Sequence, residues 1–168
     1  GIVPEAWGAP PATRVVRVHC GTMQDWNFSD PVFCNYVKPS VYNDMFARGI
    51  TSLTGLQNIV AAWQNLLVGY QPGHKIAIKL NLNSYDYNAN QTCEMAYAVI
   101  ESLKLFGVAA ADMKVFDAVR KIPDYWRARW NSDVAYVNNV NVAWDGNATV
   151  YFPAIDTTHR FPTVLSQA

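Results

Sequence analysis

Charge is scarce in this chain. Lys plus Arg and Asp plus Glu each number 13, so only 15% of the 168 residues are charged, where about 25% is usual for a soluble domain. The formal net charge is zero, and neither half departs far from balance: residues 1–84 carry six basic and four acidic groups, residues 85–168 seven and nine. The basic field that gathers nucleic acid or anionic membrane is therefore missing. Cysteine is sparse as well. Cys20, Cys34 and Cys93 include no C-x-x-C pair, which excludes a four-thiolate zinc ribbon and a haem-attachment site. They read either as three small buried apolar side chains or as one disulfide, for which Cys20 and Cys34 are the candidates, and Cys93 as unbridged within the chain. No apolar run approaches the roughly 18 residues of a membrane span. Internal repeats, a G-x-S-x-G elbow, a phosphate-binding glycine loop and a dinucleotide fingerprint are all lacking. His19, His74 and His159 are scattered, none with a partner at metal-ligand spacing, and read as structural or exposed.

What is present is core-forming material: 51% hydrophobic and 13% aromatic residues exclude a disordered chain. The organisation expected is an extended arm over 1–12, marked by Pro4, Pro10 and Pro11, followed by one α/β domain over 13–168. The start at Gly1 without an initiator Met fits an upstream segment removed, with a cleaved export leader as one explanation and an artificially chosen start point as the other. Three sequons, at Asn27, Asn90 and Asn147, stand near chance among 14 asparagines.

Thr13 to His19 (TRVVRVH) is β-branched and bounded by Pro11 and Gly21, which predicts a first strand. The long loop after it carries Trp26, Phe28, Phe33 and Tyr36. Ser40 is placed to cap a short helix ended by Gly49, and Thr54-Gly-Leu-Gln57 matches a capping box for a helix over 55–68. Lys75 to Asn83 (KIAIKLNLN) alternates strictly, with Ile76, Ile78, Leu80 and Leu82 on one face and Lys79, Asn81 and Asn83 on the other. A helix from Thr92 to Phe106, closed by Gly107, leads to a strand at Met113 to Asp117. Strand, helix and strand over 75–117 make a βαβ unit, so the class is α/β, a mainly parallel open sheet with flanking helices. Pro123 opens a short helix with Trp126 and Trp130 inward, and Val134 to Val137 and Thr149 to Phe152 are further strands.

Ligands of open α/β sheets bind beyond the carboxyl ends of the strands. That edge holds Asn81, Asn83, Ser84 and Asp86 after one strand and Asp117, Arg120 and Lys121 after the next. Lys79 lies in a strand that, if covered on both faces, normally excludes charge. Either it snorkels on a half-exposed face or pairs with Asp117, or it faces a ligand in a single cleft with Asn81, Asp117 and Arg120. Asp117 and Asn81 are the candidates for a hard cation. The run Lys114, Arg120, Lys121, Arg127, Arg129 interleaves with Tyr125, Trp126 and Trp130, but Asp112, Asp117, Asp124 and Asp133 cancel most of its field, and no nucleic-acid partner is expected.

The segment Ile78-Lys79-Leu80-Asn81-Leu82 resembles the I-K-x-N-L motif of the bacterial and archaeal family designated domain of unknown function 362. Supporting features follow in that family's order: the VVRVH strand, the Leu53-Thr54-Gly55 turn, the Glu101 to Gly107 helix end, and Val115-Phe116-Asp117 followed by Arg120 and Ile122-Pro123. The resemblance spans about residues 13–168. It implies an exported protein, since many members look exported by the twin-arginine route, and redox or metal chemistry, since some carry ferredoxin modules. The ferredoxin cysteines themselves are lacking in this chain. A second family motif, approximately I-N-x-P-x-x-K-x-H, would follow Phe161 to Ala168, so the domain is expected to be incomplete at its carboxyl end. A partner is expected to cover the open edge: a second polypeptide, the remainder of the same protein, or another copy of the chain.

Two functional expectations follow. The first is part of a ligand-, metal- or redox-linked enzyme, located outside the cytoplasm, with Lys79 and Arg120 holding an anionic group and Asn81 and Asp117 orienting a ligand or cation. The second is a non-catalytic binding or assembly module that packs its aromatic loops on another chain.

Overall fold

A computed structural model describes residues 15–21, 25–26, 29, 33–82, 93–117, 120–124, 126, 133–136, 144–153 and 156–162. The arm over 1–12 lies outside these residues, as do Asn83 and the loop after it, the side chain of Cys34, and Trp130.

Helices α1 (Pro39–Thr54) and α2 (Ile59–Leu66) come first. Proline at the first position of α1 suits a turn whose N–H groups have no helical acceptor, and the capping residue is Lys38, not Ser40. The helix passes through Gly49 and stops at Gly55, whose φ of 75° is the left-handed value that glycine adopts without steric cost. The N–H groups of Gly55 and Leu56 both return to the Thr51 carbonyl. Thr54 therefore belongs to a helix end: its hydroxyl donates to the Ile50 carbonyl at 2.9 Å. The N-cap of α2 is Asn58, whose Oδ1 accepts the Ala61 N–H at 2.9 Å. The expected helix break at Gly49 and the capping box at Thr54 are both corrected by these ends.

The βαβ unit forms as the alternation predicts. β1 (Ile76–Lys79), α3 (Cys93–Phe106) and β2 (Met113–Phe116) follow in order, and β1 and β2 pair in parallel from Ile76 with Met113 to Lys79 with Phe116. The ladder runs one bond further, from the Leu80 N–H to the Phe116 carbonyl at 2.7 Å. β3 (Ala135–Tyr136) pairs in parallel on the other side of β2, giving the order β1-β2-β3. The chain is thus α/β with a three-stranded parallel sheet. α3 closes with a Schellman arrangement: the Val108 N–H reaches the Leu103 carbonyl at 3.0 Å and the Gly107 N–H the Lys104 carbonyl at 2.9 Å, with Gly107 at a φ of 106°.

One face of the sheet is apolar and covered. Leu80, Leu82, Met113 and Val115 pack against Cys93, Ala96, Ile100 and Leu103 of α3, with Ile122, Trp126 and Val134 completing the buried core. Trp63 of α2 joins it from the side, its indole N–H donating to Ser102 Oγ at 3.0 Å, and α1 packs on both α2 and α3. On the opposite face Lys79 and Lys114 are exposed, while Phe116 is fully buried.

Residues 15–20 take no strand. The expected first strand is instead irregular backbone, with Val15, Val16 and Val18 beside α1. The sequence pattern shows only part of a second sheet: β4 (Trp144–Phe152) and β5 (Thr157–Pro162) form an antiparallel hairpin, separate from the parallel sheet. Its turn ends at Asp156, whose φ of 46° is left-handed and whose carboxylate accepts the Tyr151 hydroxyl at 2.7 Å. β4 also bulges, since Asp145 pairs with Phe161 but Thr149 pairs with Arg160. That leaves residues 146–148 without counterparts.

Candidate functional site

β1 and β2 are parallel and α3 connects them, so the carboxyl ends of both strands and the start of α3 lie at one edge of the unit. Asp117 is the first residue beyond β2 and is 1% exposed. Its Oδ2 accepts the Leu82 N–H at 3.0 Å, and its Oδ1 accepts the Arg120 N–H at 2.7 Å. One carboxylate thus ties the segment leaving β1 to the segment leaving β2. Buried N–H groups at a strand end need acceptors, and an ionised carboxylate is a strong one.

Asn81 lies between Leu80 and Leu82, both buried, and is itself exposed. The extended backbone turns alternate residues to opposite sides, so the anchoring of its two neighbours turns Asn81 outward. Lys79 pairs with Phe116 and therefore shares that residue's face of the ladder, not the α3-covered face of Leu80 and Val115. It is exposed, and its ammonium donates to the Leu80 carbonyl at 2.8 Å. This is the half-exposed lysine among the readings open from sequence. The β1–β2 register sets Lys79 opposite Phe116, one position before Asp117. Arg120 is half-buried, with its backbone on Asp117, and Asn83 falls outside the described residues.

As a cation site this edge is limited by the prior use of Asp117, whose two oxygens both accept backbone N–H groups. Among the described residues no cluster of three or more His, Cys, Asp and Glu is arranged to hold a metal ion. The histidines are dispersed: His19 and His159 are exposed, and His74 Nδ1 accepts the Gln71 N–H at 3.2 Å with its ring edge-on to Tyr70. The Cys20 to Cys34 pairing falls outside the described residues, and Cys93 is buried in the core at the start of α3.

The basic groups near this edge have local partners. Lys121 pairs with Asp124 at 3.2 Å, and on other parts of the surface Lys75 pairs with Asp112 and Lys104 with Glu101 and Asp133. Trp126 is 3% exposed and belongs to the core, so its ring is not presented to a base. Arg127, Arg129, Tyr125 and Trp130 fall outside the described residues.

Two features of this end have no clear signature in the sequence. The Leu82 N–H, as the Asp117 partner, carries no side-chain signal. Glu94 is buried in the first turn of α3, 3% exposed, although its position is that of an ordinary exposed helix start favoured by the helix dipole. No family model matches the chain, and no curated protein or solved structure matches it either. Among the described residues no helix is long and apolar enough to cross a membrane.

Proposed function

We propose that the chain belongs to an exported α/β protein, of the kind designated domain of unknown function 362, that binds a small polar ligand beyond the carboxyl ends of β1 and β2. The observation that carries this reading is the Asp117 clamp. It fixes the two segments that bound the edge where ligands of parallel sheets bind, and it leaves Asn81 outward between two anchored leucines. In this reading Asn81 supplies an amide that donates and accepts, Arg120 supplies a cation for an oxyanion on the ligand, and Asp117 positions both without touching the ligand. Lys79, two residues before Asn81 and on the same face of the extended backbone, adds positive charge at that strand end. Ligand-, metal- or redox-linked catalysis is the enzymatic form of the proposal.

The test is a titration of the whole chain with inorganic phosphate, acetate and magnesium, followed by amide chemical shifts. The expected result is saturable shifts at Asn81, Leu82 and Arg120 with one of these probes. Asn81→Ala and Arg120→Met should then weaken binding at least several-fold while the unfolding midpoint stays put. Absence of saturable shifts with every probe, or binding unchanged in both variants, overturns the proposal.

A second reading, the non-catalytic assembly module, is favoured by the exposed apolar side chains of Val15 (84%), Leu53 and Leu66, which surround one cavity. Concentration-dependent sedimentation that Leu66→Glu abolishes is the result expected of that module. A monomer at every concentration counts against self-assembly.

A further inference from the structure

We draw no further inference here: the strongest candidate, the apolar cavity of about 630 Å³ between residues 15–18, α1 and α2, has only uncharged residues such as Met45, Phe46, Ile50 and Trp63 in its described lining, and nothing in the structure shows what covers it.

Discussion

The carboxylate of Asp117 accepts the backbone N–H of Leu82 at 3.0 Å, across 35 residues of chain. The first residue beyond β2 thereby holds the strand extension that leaves β1, and through its second oxygen it also holds its own downstream loop at Arg120. The parallel ladder stops with the bond from Leu80 to Phe116. From there on the side chain does the pairing that backbone carbonyls do within the sheet, which sets the shape of the edge that a ligand would meet.

Replacing Asp117 should loosen that edge. In Asp117→Asn one of the two acceptors becomes an NH2 group facing a backbone N–H, a loss of about 1–3 kcal/mol of stability. Asp117→Ala removes both acceptors and should cost more. Amide hydrogen exchange at Leu82 and Arg120, compared with exchange at Ile78 and Val115 within the ladder, reads the effect locally. Exchange that is unchanged at the first pair shows that the clamp is dispensable.

Two glycines at helix positions predict changes of opposite sign. A Cβ on Gly49, inside α1, would lie 3.5 Å from Val18 Cγ2, an ordinary contact. Glycine within a helix costs about 0.5–1 kcal/mol relative to alanine, so Gly49→Ala should stabilise by about that amount. Gly107 has open space around it but a φ of 106°. Gly107→Ala should therefore destabilise by more than about 1 kcal/mol, through backbone strain at the Schellman turn. Urea midpoints of the two variants check both. A destabilised Gly49→Ala would mean that Val18 packs on α1 too closely to admit a methyl group.

These positions also show why parts of the fold are legible in the sequence and others are not. The alternation from Ile76 to Leu82 and the glycine at 107 are local signals, and the βαβ unit they predict is the one that forms. The class of the sheet can be read because its helix and both strands are contiguous in sequence. VVRVH has the composition of a strand, but strand formation needs a neighbouring edge, and the chain instead sets these valines beside α1. Gly49 has the look of a helix end, yet the cost of one interior glycine is small and α1 absorbs it. β5 is hidden because Thr157–Pro162 carries His159, Arg160 and two threonines, with little apolar alternation, and its pairing depends on β4. The candidate residues at the edge are neighbours in topology. Their facing depends on a one-residue phase between Lys79 and Asp117 that only the register fixes.

The Cys93 thiol should be chemically silent in the folded protein. It is 1% exposed and packs in the core with Leu80 and Leu82. A thiol reactive through a helix N-terminus has to meet the reagent, and burial among apolar side chains prevents that. Labelling of Cys93 with a disulfide reagent should follow the rate of unfolding and become fast in urea. Fast labelling under native conditions would show that the start of α3 is open.

Alkaline pH should selectively weaken the contact between α3 and the segment before β3. Lys104 Nζ bonds Glu101 Oε1 and Asp133 Oδ1, each at 2.9 Å. Burial alone disfavours the ammonium, but hydrogen bonds and charge attraction from Glu101 and Asp133 outweigh it, and the Lys104 pKa lies above the ordinary value of 10.5. The folded protein thus holds this proton more tightly than the unfolded chain does. The resulting stability is complete below the unfolded pKa and is lost as pH rises through the higher folded one. Because Asp133 is about half exposed, solvent screens the pair and the contribution is about 1 kcal/mol or less. The Tyr151 hydroxyl, donating to Asp156, also titrates above its usual value. Its effect is common to wild type and a Lys104→Met variant and cancels in their difference. The unfolding free-energy difference between those two proteins should be constant from about pH 7 to 9 and shrink above about pH 10.5, the unfolded lysine value. A difference that stays flat through about pH 11.5 would show that it comes from side-chain packing alone and that the ion pairs of Lys104 contribute nothing.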